Sequence, residues 1–170
     1  STDWRHALKG QSIVIHCSGV SVANGNDNEM DLFKRINSDG TTNLAKQAAA
    51  SGASRFIFLS SVKVNGEITE IGEHFNEESP VSPQTPYAFS KLMAEIELNK
   101  ISLGTGLEIV IIRSPLVFGR GVRGNFKRLI ELVKLGLPLP LSSVDNKRSM
   151  IGVDNLVDLI SICVDHPAAA

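Results

Sequence analysis

Thr85-Pro86-Tyr87-Ala88-Phe89-Ser90-Lys91 reads as the opening of a helix. Thr85 can cap through its hydroxyl, and Pro86 at the first helical position brings a suitable φ and has no donor to lose. Tyr87 and Lys91 then share one helical face, with roughly 6 Å between their Cβ atoms. A phenol with an ordinary pKa of about 10 is barely ionised at neutral pH, so base work needs a depression of roughly 3 units, or about 4 kcal/mol. An ammonium one turn away acts in that direction. Such a pair also arises by chance on amphipathic helices, so its weight depends on what lies upstream.

Upstream stands Arg55-Phe56-Ile57-Phe58-Leu59-Ser60-Ser61, an apolar strand ending in two hydroxyls. The carboxyl ends of parallel strands are where open α/β sheets bind ligands. Two serines there could be no more than a polar turn. Beside Tyr87 and Lys91 they read instead as part of one site. The strand's hydroxyl end and the Tyr87-x-x-x-Lys91 helix together resemble the extended short-chain dehydrogenase/reductase family, and within it the nucleotide-sugar epimerases, dehydratases and 4-keto-sugar reductases.

The resemblance implies an α/β fold: a three-layer, Rossmann-like parallel sheet with helices on both faces. It implies that Ser61, Tyr87 and Lys91 are catalytic, moving a proton to or from a sugar hydroxyl while a nicotinamide takes or gives hydride. Asn37-Ser38-Asp39-Gly40-Thr41-Thr42-Asn43-Leu44 is similar to the family's Asn-x-x-Gly-Thr-x-Asn-Leu, which sets Asn37 near the cofactor. Read from the residues alone, Asn37 and Gly40 interrupt the stripe of Met30, Phe33, Leu44 and Ala48, and close packing with Asn37 bonded to backbone explains them equally well. Ser114-Pro115-Leu116-Val117-Phe118-Gly119 resembles the loop that passes the nicotinamide, implicating Pro115 and Val117. Leu116 and Phe118 depart from the family's Asn and Tyr. Lys63 stands where a small hydroxyl residue is common, so an unusual sugar is expected there. By the same resemblance Asn125, at a helix start suited to a diphosphate, and Arg148 contact the nucleotide sugar. Ser18, Gly19 and Ser60, at strand ends, complete the expected cofactor contacts.

The remaining chain fits this outline. Its 170 residues, 42% of them hydrophobic, suit one core. A formal net charge of -1 gives no case for nucleic acid or an anionic membrane as partner. No apolar run approaches the roughly 20 residues of a membrane span, and a soluble, cytoplasmic protein is expected. Cys17 and Cys163 suggest neither a disulfide framework nor a metal site; His16-Cys17 reads as a strand end packed in a core. His6, His74 and His166 are given no role. Ser12 to Cys17 reads as a strand covered on both faces, and 28–51 as a helix stopped by Gly52. The helix from 86 to 103 should stop at Gly104, and Leu107 to Arg113 forms the third strand. Residues 65–84 read as a long surface loop, and 120–170 should contribute to the substrate-binding part.

The family's opening strands and Gly-rich turn, which hold the pyrophosphate, have no counterpart in these residues. The 170-residue chain is therefore expected to be a partial dinucleotide-binding domain, with no cofactor bound and negligible activity by itself. The edge of the strand at Ile13 to Ile15 should be exposed. The leading expectation for the parent protein is UDP-sugar 4-epimerisation with NAD, NADP not being excluded. The alternatives are an NAD(P)H-dependent 4-keto-sugar reductase and a non-catalytic dimerising module. By the resemblance, helices 28–51 and 86–103 pair with their copies in a homodimer.

Overall fold

In the computed structural model, residues 2–22, 29–122, 124–136 and 147–170 are described, with the backbone alone at 124 and 125. Three parallel strands, β1 (Ile13–His16), β2 (Arg55–Ser61) and β3 (Glu108–Ser114), form a sheet in the order β1-β2-β3. The register pairs Ile13 with Arg55, Ser60 with Arg113 and Ser61 with Ser114. β2 is central because it is apolar on both faces: Phe56, Ile57 and Phe58 are all buried. Full burial of such side chains is worth roughly 1.5–3 kcal/mol each.

Strand alternation splits these residues between two layers. Phe56 and Phe58 pack with Leu44, Ala48, Ala94 and Leu98, from α3 (Gly40–Ala50) and α4 (Pro86–Thr105). Ile57 and Val110 pack on the other face with Cys163, from α6 (Val153–Asp165). Helices therefore cover both faces, as expected of a three-layer α/β fold. β1 is less covered than its apolar run suggests. Among the described residues it pairs with β2 alone, and Ile15 is 47% exposed. It is the expected open edge, not a strand buried on both faces.

The helix expected over 28–51 is a composite. α2 (Glu29–Phe33) leads into a π-helical segment, Lys34–Asp39, and then into α3. Gly40 N–H reaches back five residues to the Arg35 carbonyl. The wider turn rotates the stripe, so that Asn37, Ser38 and Thr41 are all buried while Met30 is exposed. π segments inside α-helices are frequent at functional sites. Gly52, with φ 82°, ends the helix as expected.

α4 begins as its sequence dictates, with the Thr85 hydroxyl accepting from Ala88 N–H and Pro86 in the first turn. Its end lies later than Gly104. The helix runs to Thr105, and Gly106, in the left-handed region at φ 73°, donates its N–H to Ser102. Beyond β3 the chain forms a second, two-stranded parallel sheet, β4 (Leu116–Phe118) with β5 (Met150–Gly152), absent from the sequence reading. At Gly119 a Cβ would lie 2.5 Å from Val153 Cγ1, so the close approach of this turn to α6 requires glycine. Between the two short strands lies α5 (Gly124–Lys134). Arg55 fastens α6 to the sheet: its Nη1 donates to the carbonyls of Cys163, Val164 and His166, and its guanidinium pairs with Glu108 at 2.7 Å. No described helix is long and apolar enough to cross a membrane.

Candidate active site

The two serines that close β2 part company by strand parity. Ser60 shares its face with Phe56 and Phe58, which is the face α4 covers. It is 3% exposed, and its hydroxyl donates to Glu95 of α4. The Glu95 carboxylate also receives Arg113 of β3, through Nη2 at 2.7 Å and Nε at 3.2 Å. Expected beside a cofactor, Ser60 has its side chain committed to this buried cluster. Ser61 lies one residue further, at the sheet's carboxyl end, where its oxygen accepts from Lys63 N–H at 3.3 Å.

α4 presents Tyr87, Lys91 and Glu95 at successive four-residue steps, and Lys91 is 4% exposed. Its Nζ donates to the Leu59 carbonyl at 3.0 Å and stands 4.5 Å from the centre of the Phe58 ring. Burial lowers the ammonium to about 8, a loss partly opposed by Cys17 and Glu95. His16, at the end of β1, stacks on the same Phe58 ring at 5.8 Å. Its Nε2 meets Thr41 Oγ1 at 2.9 Å, and that hydroxyl donates onward to the Asn37 carbonyl at 2.6 Å. The chain of bonds makes Nε2 the protonated nitrogen of a neutral ring. Burial, and then the Lys91 charge, hold His16 down to about 4. The residue read as a packed strand end is therefore part of the site's wall, and its neighbour Cys17 is exposed. No group of three or more acidic, histidine or cysteine side chains that could hold a metal exists among the described residues.

Asn37 explains the π segment. Its Oδ1 accepts from Val20 N–H at 2.8 Å, and its Nδ2 donates to the Val20 carbonyl at 2.9 Å and to Ser90 Oγ at 3.0 Å. Ser90 in turn donates to the Tyr87 carbonyl at 2.7 Å. One buried amide thus clamps the loop after β1 to the first turn of α4. Gly19 belongs to this clamp, since a Cβ there would lie 2.9 Å from Asn37 Oδ1 and 3.5 Å from Lys91 Nζ. The backbone-bonded explanation of Asn37 is what the structure shows.

The Tyr87 ring meets Phe33 edge-on at 6.1 Å. Burial raises its pKa, and hydrogen bonding toward the Ser61 hydroxyl pulls it the other way, although no bond of ordinary length and angle joins the two. The net shift is upward, where an ammonium one turn away led to the expectation of a depression. Four-residue spacing brings the Cβ atoms together, but the ammonium donates to the Leu59 carbonyl. Ser61 and Tyr87 are nonetheless near enough for the serine hydroxyl to bear on the phenol.

The outlying residues are dispersed. Lys63, expected at the sugar, pairs with Glu67 at 2.8 Å. Ser18 is exposed, its hydroxyl 3.4 Å from His16 Nδ1. Pro115 joins β3 to β4, Val117 is half-buried in β4, and Arg148 is exposed just before β5. The Asn125 side chain lies outside the described residues. Sequence reasoning passed over His16, Glu95, Ser90 and Arg113 as site residues. The parity of Ser60 and the four-residue step from Lys91 to Glu95 were the signals that could have found two of these contacts.

Comparison with known proteins shows the family. The chain is 46% identical over 173 residues to a UDP-glucose 4-epimerase from Vibrio cholerae, a match covering 100% of this chain and 53% of the relative. It is 28% identical to a GDP-6-deoxy-D-mannose reductase from Pseudomonas aeruginosa, covering 92% of this chain and 54% of that one. Among solved structures, a UDP-glucuronic acid 4-epimerase from Bacillus cereus in complex with NAD superposes with a TM-score of 0.86 at 22% identity, over 99% of this chain and 53% of that one. The chain thus spans about half the length of the curated relatives it matches. A family model matches residues 1–170 from end to end, and the chain belongs to the NAD dependent epimerase/dehydratase family.

Proposed function

We propose that the protein carrying this chain is a UDP-sugar 4-epimerase. The observation that carries the reading is the gathering of the Ser61 hydroxyl, the Tyr87 phenol and the Lys91 ammonium around the carboxyl end of β2. The 46% identity to a UDP-glucose 4-epimerase supports the substrate class.

The donor set fits the nicotinamide end of a dinucleotide. An ammonium has three N–H donors, and among the described residues Lys91 gives one to Leu59. The others suit ribose hydroxyls. The backbone around Ser18 and Gly19, held by Asn37, and Pro115 and Val117 beyond β3 would complete the contacts to the cofactor. Bound there, NAD or NADP would supply hydride uptake and return. Ser61 orients the sugar's C4 hydroxyl and relays its proton to Tyr87, and Lys91 supplies the positive charge that favours the phenolate as it forms. Lys63, Asn125 and Arg148, with 120–170 generally, take the nucleotide-sugar side, and the protein works in the cytoplasm. Exposed Phe89, Met93 and Ile96 on α4, with Met30 and Ile36 nearby, support a homodimer through helices 28–51 and 86–103.

A second reading, a 4-keto-sugar reductase, is favoured by one observation: burial raises the Tyr87 pKa, which keeps the phenol in the proton-donating form that keto reduction needs. Assay of the intact enzyme separates the two. Interconversion of UDP-glucose and UDP-galactose without added nicotinamide supports epimerisation, whereas stoichiometric consumption of NAD(P)H by a 4-keto-sugar supports reduction. In either assay Tyr87→Phe is expected to lower kcat by about 10²–10⁴-fold. Unchanged turnover in that variant would leave a non-catalytic module as the reading.

A further inference from the structure

Next to the proton-transfer groups on α4, the described residues hold a dense buried polar cluster. Glu95 is 2% exposed and sits one helical step below Lys91. A buried carboxylate is costly unless its oxygens are matched, and this one is matched on every side. Ser60 Oγ donates to Oε1, Arg113 Nε to both oxygens, and Arg113 Nη2 to Oε2. The remaining guanidinium arm, Nη1, donates to Asn65 Oδ1 at 3.3 Å. Asn65 is itself buried, and its Nδ2 donates to the Ser79 carbonyl at 3.0 Å. Ser79 closes a small turn with Asn76, whose backbone N–H reaches Ser79 Oγ at 2.9 Å. Residues 66–84 contain no helix or strand, and their two ends meet the site at Ser61 and Thr85.

We infer that Glu95 and Arg113 are positioning residues: through Ser60 and Asn65, their ion pair latches segment 66–84 and the Ser61 strand end to the face of α4 that carries Tyr87 and Lys91. Apolar side chains could hold a helix to a sheet as firmly as a buried ion pair does. The charged pair adds register, because sliding α4 along β2 and β3 would strand the carboxylate without its partners. The same pair carries order outward, since Arg113 hydrogen-bonds to both Glu95 and Asn65. The catalytic part of this inference rests on the reading in the preceding subsection, and the latch itself does not.

The test therefore has a readout independent of turnover. Glu67, Glu70, Glu73, Glu77 and Glu78 are exposed along the segment and Glu95 is not, so a glutamate-specific protease reports on the latch in the folded, intact enzyme. Glu95→Gln and Arg113→Lys, neither of which touches the segment, should each speed cleavage at these sites roughly tenfold by easing local opening, as Asn65→Ala does directly. Arg55→Met, which loosens the opposite end of the sheet, supplies a control of comparable thermal midpoint and should leave the segment's cleavage unchanged. Equal cleavage in wild type and both pair variants, or equal acceleration in the control, overturns the latch. In the activity assay Glu95→Gln should raise KM for the nucleotide sugar and lower kcat together, with Glu95→Asp restoring part of both. Faster cleavage with kcat and KM both unchanged overturns the positioning role, and a turnover-free enzyme with faster cleavage retains the latch while rejecting the catalytic reading.

Discussion

The middle of the chain and its carboxyl third spend their residues differently. Around β2 and α4, polar and charged groups go inward: Asn37, Ser60, Ser90, Lys91 and Glu95 are each buried and hydrogen-bonded. In the carboxyl third, apolar groups go outward. Leu129, Leu132 and Val133 of α5 and Val157, Leu159 and Ile162 of α6 are each at least 39% exposed. Buried polar groups cost stability unless fully partnered, so the first region gives up easy hydrophobic burial for fixed geometry. That is the trade expected where chemistry is done. The second region draws little stability from its own apolar residues, and depends on a few attachments such as Arg55.

The contrast is broken most severely at Lys91. Lys91→Met keeps an apolar stem of similar length against Phe58 but deletes the charge, and kcat in the intact enzyme should fall about 10²–10³-fold, the range typical of losing one electrostatic stabiliser. The thermal midpoint should hold or rise, because the desolvated ammonium is removed. Since burial lowers Lys91 to about 8, activity should also decline above that pH as the ammonium is lost, and Lys91→Arg should move the decline upward. A pH–activity profile flat from 7 to 10 in the wild type would remove Lys91 from the mechanism.

Arg55 is the seam between the regions. It is buried, and its Nη1 serves three carbonyls at the carboxyl end of α6. Charge–dipole and charged hydrogen-bond contributions of this kind sum to about 2–3 kcal/mol. Arg55→Met should therefore lower denaturant stability by about that amount. A loss under about 0.5 kcal/mol would mean that α6 is held by its apolar contacts, Leu156 and Cys163, instead.

His16 gives a smaller, pH-dependent effect on the polar side of the comparison. Its folded pKa of about 4 lies below the ordinary value of 6.5, so the folded form binds a proton less readily than the unfolded one. The stability it contributes is complete above pH 6.5 and is lost as pH falls from there toward 4. The ring is partly solvated, which reduces the effect to on the order of 1 kcal/mol between pH 7 and 5. Stability measured at the two pH values should show this loss in the wild type and not in His16→Gln; an equal slope in both would place the titration elsewhere.

What the sequence discloses follows the same division. Local rules were enough for α4, whose Thr85 cap and Pro86 sit where the helix begins, and for the face shared by Tyr87 and Lys91. They were enough for β2, whose apolar run is buried on both faces, although the same rule overstated the cover of β1. They failed wherever a residue's role depends on its partner's reach. The π segment carries Asn37, which bonds to Val20 across a loop, and no local pattern of residues announces that pairing. The Tyr87 shift runs opposite to expectation because burial outweighs the pull of the Ser61 hydroxyl, and helical spacing announces neither the burial nor where the Lys91 ammonium ends. Ser60 was legible in principle: parity with Phe58 places it under α4, away from the space Ser61 faces. The pairing of β4 with β5 was not, since three-residue strands carry too little periodicity to be read.

The mildest change sharpens the comparison from the apolar side. Val133, on the outer face of α5, is 60% exposed, and serine has nearly the same helix propensity as valine. Val133→Ser therefore removes little buried area and changes the backbone's preference little, so stability should stay within about 0.5 kcal/mol of the wild type. At Ile57, 1% exposed in the central strand, the same loss of hydrocarbon would leave a hydroxyl without a partner in the core. A destabilisation of Val133→Ser beyond about 1 kcal/mol, or a change in its sedimentation, would show that this face is covered in solution, and the two regions would then differ less than their exposures suggest.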